Sequence, residues 1–232
     1  MVWVRIAACA LLLTGLQTVS AQQPRGTASA STPQQRSPSV KTSLNILGML
    51  LTRTPDAPTN LAFAKFRVKT ALDKLVTLSA AWPAESPADY RANLDASVQA
   101  LDRELSGAYV GELTAFLEVL GDDLEVKLEH CTKSGGKLGG SVTVNVRTLN
   151  GDGESRNWQI FYMPKIFEAA GANSPDRFPK LSSPTSETLV PGRYVVWGRD
   201  GANRTSERIT VKVGEGKKEL PLELLVPSGT AR

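Results

Sequence analysis

Residues 124–153 read LEVKLEHCTKSGGKLGGSVTVNVRTLNGDG, and the hydrophobic period changes in the middle of them. Up to Cys131 the apolar residues keep helical spacing. Leu113, Leu117, Leu120, Leu124 and Leu128 recur at intervals of 4, 3, 4 and 4, which places them on one helix face. From Val142 the period is two: Val142, Val144 and Val146 alternate with Thr143, Asn145 and Arg147, the pattern of a strand with one buried face. Lys133, Gly135 and Gly136 form the helix stop, and Asn150-Gly151-Asp152-Gly153 turns the chain after the strand. The switch predicts an α+β chain of two domains. A helical bundle or helical hairpin over 43–135 is followed by an antiparallel β-sandwich over 139–226.

Upstream of the switch the helical spacing repeats. A first helix starts at Ser43 and covers 44–51, before Pro55 and Pro58 interrupt it. A second fits 61–81, with Leu61, Ala64, Val68, Leu72 and Leu75 on one stripe, and Pro83 ends it. Ser86 and Pro87 read as an N-cap and first-turn proline for a third helix running to about Leu105. The fourth fits 110–131, with Gly121 as a place to bend.

Downstream, short alternating runs predict further strands at 158–162, 193–199, 209–213 and 220–224, separated by Gly-rich turns. The stretch 164–184 breaks this rhythm and reads as an inserted loop with one helical turn at 166–170.

The chain begins with Arg5, an apolar run from Ile6 to Leu16 and the short residues Val19-Ser20-Ala21. This is the three-part pattern of a secretory signal peptide over 1–21, and its apolar run is too short to span a bilayer. The reading is an exported protein, periplasmic or extracellular, that does not span a membrane after cleavage. Residues 22–42 are rich in Pro, Ser and Gln and read as a disordered tether, and 227–232 as a disordered tail.

Composition narrows the chemistry. The 232 residues carry 27 Lys+Arg against 23 Asp+Glu, and 41% are hydrophobic, so a wholly disordered chain is excluded. One histidine and two cysteines exclude a multi-His zinc site, a four-Cys finger and a disulfide-stapled framework. The charge is uneven: the tether is basic, residues 43–132 are net acidic and residues 133–232 net basic.

At Leu189-Val190-Pro191-Gly192-Arg193-Tyr194-Val195-Val196-Trp197 the chain resembles the carboxypeptidase-regulatory-like or transthyretin-like β-sandwich family, whose members show a Pro-Gly-x-Tyr turn entering a strand. Proline presets the turn, glycine frees the backbone, and tyrosine points inward as an anchor. The resemblance spans the C-terminal half only. It departs from the family in the long 164–184 insertion and in lacking an Asp-Gly-x-Phe segment before the turn. It implies a non-catalytic accessory or adhesion module.

No catalytic, cofactor or metal residue is assigned. His130 and Cys131 are adjacent, so on a helix they point about 100° apart and do not form a nucleophile–base pair. His130 reads as a solvated residue near a helix end, and Cys131 as buried, or as one route, with the helices, to a homodimer. Asp122-Asp123 and Glu125 with Glu129 read as a solvated helix face, and Asn150, Asp152 and Glu154 as a turn rather than a calcium loop. The candidate binding surface is Trp158, Tyr162 and Trp197, aromatics that pack in a core or stack on sugar rings. Basic residues from Arg193 to Lys218 accompany no nucleic-acid motif, so no nucleic-acid partner is expected. The expected function is an exported, non-enzymatic interaction or structural protein of the cell envelope. Its partner is an envelope protein or, in the alternative, a polysaccharide.

Overall fold

A computed structural model describes residues 39–82, 88–107, 109–138, 140–155, 157–171, 174–214 and 216–228. The expected signal peptide, nearly all of the tether, the Ser86-Pro87 start and residues 229–232 of the expected tail lie outside these. Four helices come first: α1 (Val40–Arg53), α2 (Thr59–Ser79), α3 (Ala88–Gly107) and α4 (Val110–Lys133). α1 is capped by Ser39, whose Oγ accepts the Thr42 N–H at 3.2 Å, and it ends before Pro55. At the start of α4 the Tyr109 N–H donates to Glu112 Oε2 at 3.3 Å.

The apolar stripes read from the sequence are the packed faces. Leu61, Ala64, Val68, Leu72 and Leu75 of α2 and Leu113, Leu117, Leu120 and Leu124 of α4 are all buried. Each fully buried leucine contributes about 1.5–3 kcal/mol relative to exposure. α4 runs through Gly121 without a break. That glycine is where α2 comes close, since a Cβ there would lie 3.5 Å from Val68 Cγ2. Arg67 on α2 reaches across to Asp122 at 3.0 Å and Glu125 at 2.8 Å on α4. Arg53 on α1 pairs with Asp102 on α3 at 3.2 Å.

The strands follow: β1 (Val142–Asn150), β2 (Gly153–Glu154), β3 (Trp158–Pro164), β4 (Asp176–Arg177), β5 (Thr185–Leu189), β6 (Gly192–Asp200), β7 (Ile209–Val213) and β8 (Glu219–Leu225). They make two four-stranded sheets. In the first, β1 carries β2 and β5 along one side and β8 along the other. The second has the order β4-β3-β6-β7. All ladders are antiparallel except β1–β8, which runs parallel from Thr143↔Glu219 to Leu149↔Leu225. The expectation of a wholly antiparallel arrangement is corrected at this pair.

The Asn150–Gly153 turn forms as expected, with Asn150 Oδ1 accepting the Asp152 N–H at 3.0 Å and Gly153 at φ 115°. The inserted stretch is not all loop. It contains α5 (Lys165–Ala169) and the two-residue β4, which pairs with β3 through Phe161↔Arg177 and Tyr162↔Asp176.

The sheets meet at Gly198 on β6. A Cβ there would lie 3.1 Å from Trp158 Cε3 and 3.3 Å from Leu224 Cδ2 of β8. A larger residue would push the two sheets apart at this point. Helices and sheets also share one contiguous buried cluster, which contains Leu120 and Leu124 together with Val144, Trp158 and Tyr194. The α part and the β part are successive in sequence and continuous in their packing.

Candidate functional site

The three aromatics of the expected binding surface are divided between two faces of the second sheet. Trp158 is 2% exposed and belongs to the shared core, with the half-buried Tyr162 on the same face. Tyr162 packs edge-on against Phe178, ring centroids 5.4 Å apart. Trp197 stands opposite Phe161 in the β3–β6 register, so it projects from the other side. Directly opposed residues of an antiparallel pair share a face, and Trp158 and Phe161 are three apart, hence on opposite faces.

On that outer side Trp197, Met163 and Val195 form a second small cluster, with Phe161 and Phe167 packed on it. The Phe161 and Trp197 rings stack with centroids 5.9 Å apart and planes 18° from parallel. A guanidinium lies over each: Arg199 is 5.3 Å from the Phe161 centroid, and Arg208 is 4.5 Å from that of Trp197. Arg208 also pairs with Glu168 of α5 at 3.1 Å. Arg177, opposite Phe161 on β4, adds a third cation to the same face. Arg177, Arg199 and Arg208 are all exposed. Each such contact is worth about 0.5–1 kcal/mol at an exposed site. Trp197 itself is 3% exposed, so the accessible groups of this face are the guanidinium edges and Phe161.

The carboxylates of α4 form no single solvated face. Asp122 and Glu125 receive Arg67, and Arg193 approaches Asp122 at 3.4 Å. Asp123 is buried. Its Oδ2 is hydrogen-bonded to the buried Lys127 ammonium, and its Oδ1 accepts the Arg193 backbone N–H at 2.9 Å. The reading of Asp123 as solvated is therefore corrected: the Pro191-Gly192 turn covers it. Glu129 is held by Lys133 and Lys212, each at 2.7 Å, and these ammoniums lower its carboxyl to about 2.

His130 is corrected likewise. It is 4% exposed, because the β7–β8 turn folds over it. Its Nδ1 accepts the Gly216 N–H at 3.2 Å, and burial holds the imidazole pKa below its ordinary 6.5. It is thus a neutral acceptor. Cys131 is fully buried, as the sequence suggested, with its Sγ 4.0 Å from the Tyr90 hydroxyl. Burial pushes that phenol well above its usual range. A disulfide between copies through Cys131 requires this core to open.

Among the described residues no group of three or more His, Cys, Asp and Glu is placed to hold a metal ion, and no helix is long and apolar enough to cross a membrane. The outer-face groups that the expected surface of Trp158, Tyr162 and Trp197 left out are Phe161, Arg177, Arg199 and Arg208. The alternation around Trp197 pointed to them, because Phe161 and Arg199 share its parity across the β3–β6 pair. No protein-family model matches this chain, and the comparison with curated proteins returns no match.

Proposed function

We propose that the chain is an exported, non-enzymatic interaction protein of the cell envelope that binds an anionic polysaccharide through the outer face of its second sheet. The observation that carries this reading is the array Arg199–Phe161–Trp197–Arg208, two stacked rings with a guanidinium over each. Guanidiniums recognise carboxylate and sulfate groups in a planar, two-pronged way, and the partly exposed Phe161 adds apolar contact beside them. Export is supported by the charged start, apolar run and small residues of 1–21. A transthyretin-like β-sandwich is supported by the Pro191-Gly192-x-Tyr194 turn, by burial of Tyr194 with its hydroxyl donating to Val190 O at 3.0 Å, and by the contact of the sheets at Gly198.

The test is co-sedimentation of the protein with polygalacturonate and with uncharged dextran at low and high salt. The expected result is retention on polygalacturonate that salt weakens and that Arg199→Glu with Arg208→Glu abolishes. Equal retention on dextran, or none on either polymer, overturns the reading.

A further inference from the structure

A cleft of about 460 Å³ opens between α3 and the side of the sheets where β4 and β5 are outermost. Its floor is the side of β3 opposite the arginine face, since Tyr162 and Phe161 point to opposite sides. Tyr162 and Tyr194, ring centroids 6.1 Å apart, line that floor, and Phe167 of α5, which also packs on the Trp197 cluster, lines the cleft beside them.

The charged groups of the cleft are both carboxylates, and one of its buried polar atoms is an acceptor without a donor. Asn93 on α3 is 7% exposed, and its Oδ1 is buried without a hydrogen-bond partner among the described residues. A buried carbonyl oxygen without a donor is costly, so native structures seldom leave one. Glu187 stands opposite the buried Val144 in the β1–β5 register, and its side chain projects toward the space between the sheets. It is half-buried, one oxygen accepts the Thr188 N–H at 2.8 Å, and it makes no ion pair among the described residues. Asp176, opposite Tyr162 on β4, adds a second carboxylate at the mouth. No Lys, Arg or His is among the described residues lining the cleft.

An inward-pointing charge guards a sheet edge against pairing with another chain. That role explains Glu187 but not an unpartnered amide oxygen buried on the helix facing it. A hydroxyl would satisfy Asn93 yet leave the half-buried Glu187 without a counter-charge. An ammonium serves both, and aromatic faces attract it further. We infer that this cleft binds a protonated alkylamine, with its ammonium between Asn93 Oδ1 and Glu187 and its methylene stem on Tyr162 and Tyr194. The amine is either a free diamine or the lysine side chain of a partner. The inference stands independently of the polysaccharide reading.

The test is calorimetric titration of the purified protein with cadaverine and with Nα-acetyl-lysine methylamide, using pentanol and methyl glucoside as uncharged controls. At least one amine binds saturably in the millimolar range or tighter, and pentanol far more weakly. Glu187→Gln, which keeps the side-chain shape, weakens the amine roughly tenfold. Ala96→Trp, which fills the cleft, abolishes binding at an unchanged melting temperature, and Glu187→Gln carries the test alone if that variant does not fold. Tighter binding of the lysine derivative assigns the site to a partner chain; tighter binding of cadaverine assigns it to a free diamine. Absence of binding by both amines, binding undiminished in Glu187→Gln, or methyl glucoside binding as tightly as the amines each overturn the inference.

Discussion

Asp123 Oδ1 accepts the backbone N–H of Arg193 at 2.9 Å, joining the middle of α4 to the first turn of β6. The contact places a carboxylate against bare backbone, and a side chain on the residue before Arg193 would crowd it. A Cβ on Gly192 would lie 2.7 Å from Asp123 Oδ1 and 3.1 Å from Lys127 Nζ. The Pro-Gly turn is thus shaped by the helix beneath it as well as by its own backbone.

Gly192→Ala is therefore expected to destabilise the protein by about 2–4 kcal/mol, through overpacking and loss of the Arg193 hydrogen bond. Urea unfolding followed by tryptophan fluorescence reads this directly. An unchanged midpoint would show that α4 and β6 move apart at no cost.

The Asp123–Lys127 pair is buried on both sides, at 1% and 0% side-chain exposure. Breaking such a pair from one side leaves an uncompensated charge and costs about 3–5 kcal/mol. Lys127→Met should show that loss. Asp123→Asn added to Lys127→Met should recover a large part of it, because no charge then remains. A double variant as unstable as the single one would assign the cost to packing.

His130 sets a pH dependence. Its folded pKa lies below the ordinary 6.5, so between those two values the unfolded chain binds more protons than the folded one. The contribution is fully present above pH 6.5 and is lost as pH falls through the folded value. Melting temperature should fall with pH in that window, and the slope should vanish in His130→Asn, whose amide oxygen replaces Nδ1 as acceptor for Gly216. The carboxyl of Glu129 acts in a lower window, from 4.5 down to about 2, so the two are separable.

Trp158 and Trp197 should respond differently. Trp158→Ala opens the core between the sheets and is expected to cost about 3–5 kcal/mol. Arg208→Ala uncovers Trp197 at a cost of about 1 kcal/mol or less, with a red-shifted tryptophan emission. Chemical denaturation of both variants checks the contrast.

The elements that were legible in the sequence carry long periodic patterns. The apolar stripe 61–75 and the leucines 113–128 define α2 and α4 nearly to their ends, and Val142–Val146 defines β1. The short strands β2 and β4 have two residues each, too few for any period to show. Which residues of α4 face water was misread for a different reason. Asp123 and His130 are covered by turns that lie far away in sequence, at Gly192 and Gly216, and a local pattern carries no trace of such contacts. Strand alternation separated the faces of Trp158 and Phe161, but not which face meets a second sheet. Asn93 was invisible: an asparagine in a helix reads as a solvated residue until its buried oxygen is seen.

The parallel pairing of β1 with β8 makes the strand that opens the β part a neighbour of the strand that closes it. A nascent chain displays β1 long before Glu219 has been made, and until then one flank of that strand has nothing to pair with. Such distant closure slows folding. A chain terminated early does not become a smaller stable protein; it becomes one with an adhesive flank. The last strand therefore closes the flank that β1 otherwise leaves open.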